Sequence, residues 1–74
     1  MGTKTKPGAF DCYANANEDE PMFVLLGRDR HAPELVEMWA TRRESEGEDP
    51  AKVAEARSCA AAMREYGEAC QVER

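Results

Sequence analysis

Two acid-and-proline signals on either side of a glycine constrain this chain more than any other feature. Asp29 precedes a segment with Pro33 in its first turn, Asp49 stands directly before Pro50, and Gly47 lies between them. An aspartate side chain satisfies open amides at a helix start, proline has no amide proton to lose there, and glycine adopts the left-handed conformation that closes a helix. The pattern predicts helices over about residues 29–46 and 49–70, with Asp29 and Asp49 as their caps. In the first, Ala32, Leu35, Val36 and Trp39 fall at i, i+3, i+4 and i+7, which makes one apolar stripe. Trp39 is the natural centre of the core, and Trp39→Ala is expected to be lethal to it. In the second, Val53, Ala56, Ala60 and Met63 are the inward positions. Small side chains let another helix approach closely, so the expected fold class is mainly α, an antiparallel helical hairpin with a short connection. The run from Cys59 to Met63 is more apolar than one partner helix requires, and predicts a further contact from the N-terminal segment or from another copy.

The remaining sequence adds little regular structure. Residues 1–9 are rich in Gly, Thr, Lys and Pro and read as a flexible arm, leaving 10–74 as a single small helical domain. Phe10, Cys12 and Tyr13 have apolar bulk to dock on a core. Glu18, Asp19 and Glu20 lead into Pro21, and the most apolar stretch of the chain, Met22 to Leu26, ends at Gly27. Acids before a proline and a glycine after the run favour a short helix over 21–26, with a buried strand as the rival. A strand would need a partner from Phe10 to Tyr13 or from another subunit.

At 74 residues, a single core seldom contributes more than about 3 to 5 kcal/mol, so reinforcement is expected from partner copies. Disulfides are a poor source of it, because Cys12, Cys59 and Cys70 are odd in number and follow no apolar signal segment; a cytoplasmic location with reduced thiols is expected. No run reaches the roughly 20 apolar residues that cross a bilayer. The net charge of −5 argues against non-specific nucleic-acid binding, which needs a dense basic face. A small phosphorylated ligand is not excluded, since a few converging arginines suffice to hold one.

Catalysis lacks its required context. Cys12, Cys59, Cys70 and His31 have the composition of a zinc site but no CxxC pair, so core thiols, no metal and no other cofactor are expected. No glycine-rich phosphate loop or GxSxG motif is present, and the acids before Pro21 read as capping charge. The most suggestive patch is Gly27, Arg28, Asp29, Arg30 and His31, where a turn meets a helix start and open amides favour an anion. Phe23 or Trp39 offers an aromatic face for a base. Set against this, Asp29 is accounted for as a cap, Arg28 as a partner of Glu20 and Arg30 as a solvated side chain. Arg42 and Arg43 complement the negative end of the first long helix, and in a symmetric oligomer they converge with the Arg28 patch of a neighbour.

The stretch CYANANEDEPMFVLLGRDRHAPELVEMWA, Cys12 to Ala40, resembles a group of small proteins encoded by phages and prophages, most plainly in EPMFVLLGRD followed by AP and WA. Small phage proteins of this size resemble counter-defence factors. The resemblance implies a non-enzymatic anti-defence role in the infected host's cytoplasm, as a homo-oligomeric sponge that sequesters a nucleotide immune signal at subunit interfaces. The alternative it leaves is an inhibitor of a host immune complex, CRISPR-type or otherwise handling nucleic acid, acting through the acidic surface around Glu18 to Glu20 and Glu44 to Glu48.

Overall fold

The computed structural model describes residues 1–70, and its regular structure is helical: α1 (Cys12–Asn15), α2 (Ala32–Ser45) and α3 (Pro50–Cys70). No strand occurs among the described residues. No described helix is long and apolar enough to cross a membrane.

The second acid-and-proline signal works as its sequence indicates. Asp49 Oδ1 accepts from the Ala51 amide at 2.9 Å, its carbonyl accepts from Lys52 and Val53, and Pro50 opens α3. Gly47 has φ +87, the left-handed conformation that glycine adopts without a Cβ clash. The first signal acts one turn earlier than expected. Asp29 does not cap α2: its Oδ1 accepts from the His31 amide at 2.9 Å and its carbonyl from Ala32 at 3.1 Å, closing a turn that delivers the chain to α2. His31 is the N-cap residue and makes no side-chain capping bond, so the helix begins at Ala32 rather than near Asp29. An aspartate serves a local turn as readily as a helix start, which is why the position was ambiguous by a few residues.

The α2–α3 interface is made of small side chains. Ala32, Ala40, Ala56 and Ala60 have no exposure and Val53 has 3%. On α3 these are three of the four predicted inward positions; the fourth, Met63, is half-buried. On α2 the inward row is Ala32, Val36 and Ala40, and Trp39 is not the centre of the core: it is 38% exposed, with Leu35 and Met38 each at 45%. The helix is rotated so that alanines rather than the largest apolar groups face α3. Close approach over alanine gains more contact than a wide gap propped open by an indole, and Trp39 lies at the flank instead. There the Arg43 guanidinium sits 6.0 Å from its ring centroid, at the outer reach of a cation–π contact. The α2 start lies beside the far end of α3, where Pro33 and Glu34 share a groove with Met63 and Gly67. Its other end lies beside the α3 start, through Arg43 to Glu48 at 2.9 Å.

The first segment supplies the further contact. Met1 packs against the Ala40, Val53 and Ala56 cluster together with Val36. Its ammonium donates to the carbonyls of Pro7 and Phe10 and to Glu55 of α3, the last at 3.0 Å. The same carboxylate accepts from the amides of Ala9 and Phe10. Glu55 therefore ties residues 1–10 to α3, a role with no periodic signature. Asp11 then caps α1, its carboxylate accepting from the amides of Tyr13 and Ala14.

Residues 21–26 form neither the preferred short helix nor a strand; they run without turn or bend. The expected capping charge is used upstream, where Glu20 accepts from the Asn17 amide.

Candidate functional site

The predicted ligand residues divide between the two ends of α2. Arg28, Arg30 and His31 are exposed on the turn before the helix, a turn closed by the Asp29 amide donating to the Leu26 carbonyl at 3.0 Å. Arg30 Nε approaches His31 Nε2 at 3.4 Å, so the two side chains lie together. Arg42 and Arg43 lie in the last turn of α2. With 14 residues in the helix and a rise of about 1.5 Å per residue, roughly 20 Å separates the ends. One chain does not gather these cations into one site.

Their availability also differs. Arg43 is bonded to Glu46 at 3.1 Å and to Glu48 at 2.9 Å. Hydrogen bonds from Arg43 and then Lys52 hold the Glu48 carboxyl below its ordinary range, and Arg43 is thereby committed to closing the α2–α3 turn. Among the described residues, Arg28, Arg30 and Arg42 make no ion pair, and the expected pairing of Arg28 with Glu20 is not formed. Phe23, at 86% exposure, lines neither groove beside the turn, and Trp39 lies on α2 toward Arg43.

Two open grooves flank the turn. One, of about 260 Å³, is lined by Arg30, Asp29 and Glu34 from the α2 side and by Arg64 and Glu68 of α3. The other, of about 490 Å³, is more apolar: Leu25, Leu26, Ala62, Met63 and Tyr66 form its walls, with Lys4 and Arg28 among its lining. Arg64 and Tyr66 are therefore site residues that the sequence reading missed. Arg64 lies seven positions after Arg57, on the same flank of α3, but nothing in that spacing ties it to the turn before α2. Arg57 on that flank pairs with Glu37 at 3.3 Å and Glu44 at 2.9 Å, whereas Arg64 has no such carboxylate partner among the described residues.

The thiols do not form the expected buried set. Cys12 is exposed and Cys59 half-buried, while the Cys70 side chain lies outside what is described. Among the described residues no three His, Cys, Asp or Glu side chains come together as metal ligands. No family model, curated protein or solved structure matches this chain.

Proposed function

We propose that this chain is a non-enzymatic binding protein that works as a homo-oligomer and holds a phosphate-bearing nucleotide in a groove completed by a neighbouring copy. The observation that carries the reading is the pair Arg30 and Arg64, two guanidinium groups from different elements that line one groove and form no ion pair among the described residues. In this reading α2 and α3 are an antiparallel hairpin, and the groove lies at its open end beside the α2 N-terminus, whose amides favour an anion. Arg30 and Arg64 take phosphate oxygens, His31 accepts from Arg30 Nε beside the groove, and Glu34 and Glu68 suit the exocyclic amino group of a base. At about 260 Å³ the groove is below the roughly 300 to 1,000 Å³ of most ligand pockets. A second copy would close it, bringing Arg42 and an aromatic such as Trp39 or Phe23. The biological role that fits is the one implied by the resemblance to phage and prophage proteins, sequestration of a nucleotide immune signal in the cytoplasm of the infected host.

The test is thermal denaturation against cyclic and linear nucleotides, with copy number read by native mass spectrometry. A ligand at about 100 times its Kd stabilises by about 2.7 kcal/mol, and Arg30→Gln with Arg64→Gln should abolish that shift while leaving the helical spectrum unchanged. A chain unmoved by every nucleotide overturns the ligand reading. It would favour a second one, a protein-binding inhibitor of a host immune complex, for which the exposed acids Glu18, Asp19 and Glu20 beside an exposed apolar stretch are the specific support.

A further inference from the structure

The least satisfied surface of the molecule is residues 22–26. Phe23 is 86% exposed, Val24 63%, Leu26 51% and Met22 50%. From Met22 to Leu25 no backbone amide or carbonyl bonds to another described residue, and the stretch is unbent. Apolar side chains in water together with an open row of backbone donors and acceptors are the properties of an unpaired strand edge.

The flanking charges identify what pairs with it. The order is Glu20, Pro21, Met22, Phe23, Val24, Leu25, Leu26, Gly27, Arg28: an acid at one end, a base at the other, and no charge between. We infer that this segment pairs antiparallel with the same segment of a second copy, about a two-fold axis at Val24. In that register Met22 faces Leu26 of the other copy, Phe23 faces Leu25, and Val24 faces Val24. Just past the ladder, at both ends, Glu20 of each copy then lies beside the turn that carries Arg28 of the other. Parallel in-register pairing would set Glu20 against Glu20, and a one-residue slip would turn every side chain to the opposite face. Pro21, which has no amide proton, falls at the end of the ladder, where it costs least. Beyond Glu20 and Leu26 each chain turns, through Glu20 to Asn17 and Asp29 to Leu26, so the ladder ends there.

A bare two-stranded ribbon is marginal in water, but this one is backed. Leu25 and Leu26 lie along α3 beside Ala62, Met63 and Tyr66, so a pair of strands would close over two helical supports. The pairing rests on the assembly part of the proposed function and not on its ligand. It assigns Arg28 to the contact between copies, leaving Arg30 and Arg64 to the groove.

Sedimentation and native mass spectrometry of the full chain test it, with three variants. Glu20→Arg or Arg28→Glu alone sets like charges against each other at both ends and should weaken the dimer by roughly tenfold or more. Mixing the Glu20→Arg chain with the Arg28→Glu chain should restore a heterodimer, because each end again has opposite charges. Val24→Pro should leave a monomer with unchanged helical circular dichroism, since Val24 belongs to no helix and contributes no core side chain. A wild-type chain that stays monomeric at every concentration overturns the inference, as does a dimer indifferent to all three variants. A dimer that dissociates in these variants but answers no nucleotide would leave the pairing intact and remove only the ligand reading.

Discussion

The α2–α3 pair and the first 31 residues solve opposite halves of the same problem. The helix pair buries its smallest apolar side chains, with Ala32, Ala40, Ala56 and Ala60 fully covered. The first segment exposes some of the largest, with Phe23, Tyr13 and Val24 mostly in solvent. Close helix contact is thus obtained from backbone proximity, not from side-chain volume, and the bulky groups are left over. A chain this short has too little interior to enclose both. The lesson is that the exposed apolar groups concern what the protein meets, whereas the alanines concern how it stands up.

If that division is right, damage should depend on region and not on residue size. The largest effect should come from a charge in the alanine interface. Ala56→Asp buries an unpaired carboxylate at a site with no exposure, a cost of about 3 to 5 kcal/mol, and should leave the chain unfolded by circular dichroism at 25 °C. Trp39→Ala should cost about 2 kcal/mol, well short of the 3 to 5 typical of a buried tryptophan, because more than a third of the side chain is already in water. A urea midpoint lost altogether would return Trp39 to the core. Asp49→Ala should cost about 1 kcal/mol by removing the α3 cap, and Asp29→Ala less, since Asp29 bonds a turn and not the helix. Equal losses would mean that Asp29 caps α2 after all. Phe23→Ser should change the stability of the dilute monomer by about 0.5 kcal/mol or less, despite removing an aromatic ring.

Acid acts where Glu55 ties the first segment to α3. The hydrogen bond from the N-terminal ammonium, aided by the amides of Phe10 and Ala9, lowers the Glu55 carboxyl from its ordinary 4.5. A carboxylate lowered in the folded state stabilises above its unfolded value and ceases to do so as pH falls through its folded value. Stability should therefore decline below about pH 4.5, with Glu48 contributing in the same direction. Glu55→Gln should lower the thermal midpoint at pH 7, flatten the acid-side decline, and converge on wild type only once the wild-type carboxyl is itself protonated. A parallel pH profile in the variant would show that Glu55 does not hold the first segment.

Much of the helical architecture was legible because its causes are local. Asp49, Pro50 and Gly47 act through bonds and dihedral angles within a few residues, and the row Val53, Ala56, Ala60 repeats at the helical period. The same local logic misjudged Asp29, where a turn competes with a cap, and residues 21–26, where helix punctuation brackets a stretch that runs extended. The candidate site was legible only in half, through Arg28, Arg30 and His31. Arg64 and Tyr66 enter it from a distant stretch of sequence, and no local signal ties them to the turn.

By itself the sequence determined that two long helices form, where the second begins, and which of its faces turns inward, since each follows from short-range hydrogen bonding and period. Tertiary structure alone decided which side of α2 meets α3, that Met1 and Glu55 close the remaining face, and that Arg30 and Arg64 share a groove. These are choices among packings of one set of helices, and close contact between facing surfaces selects among them; no single helix records the shape of the surface it will meet.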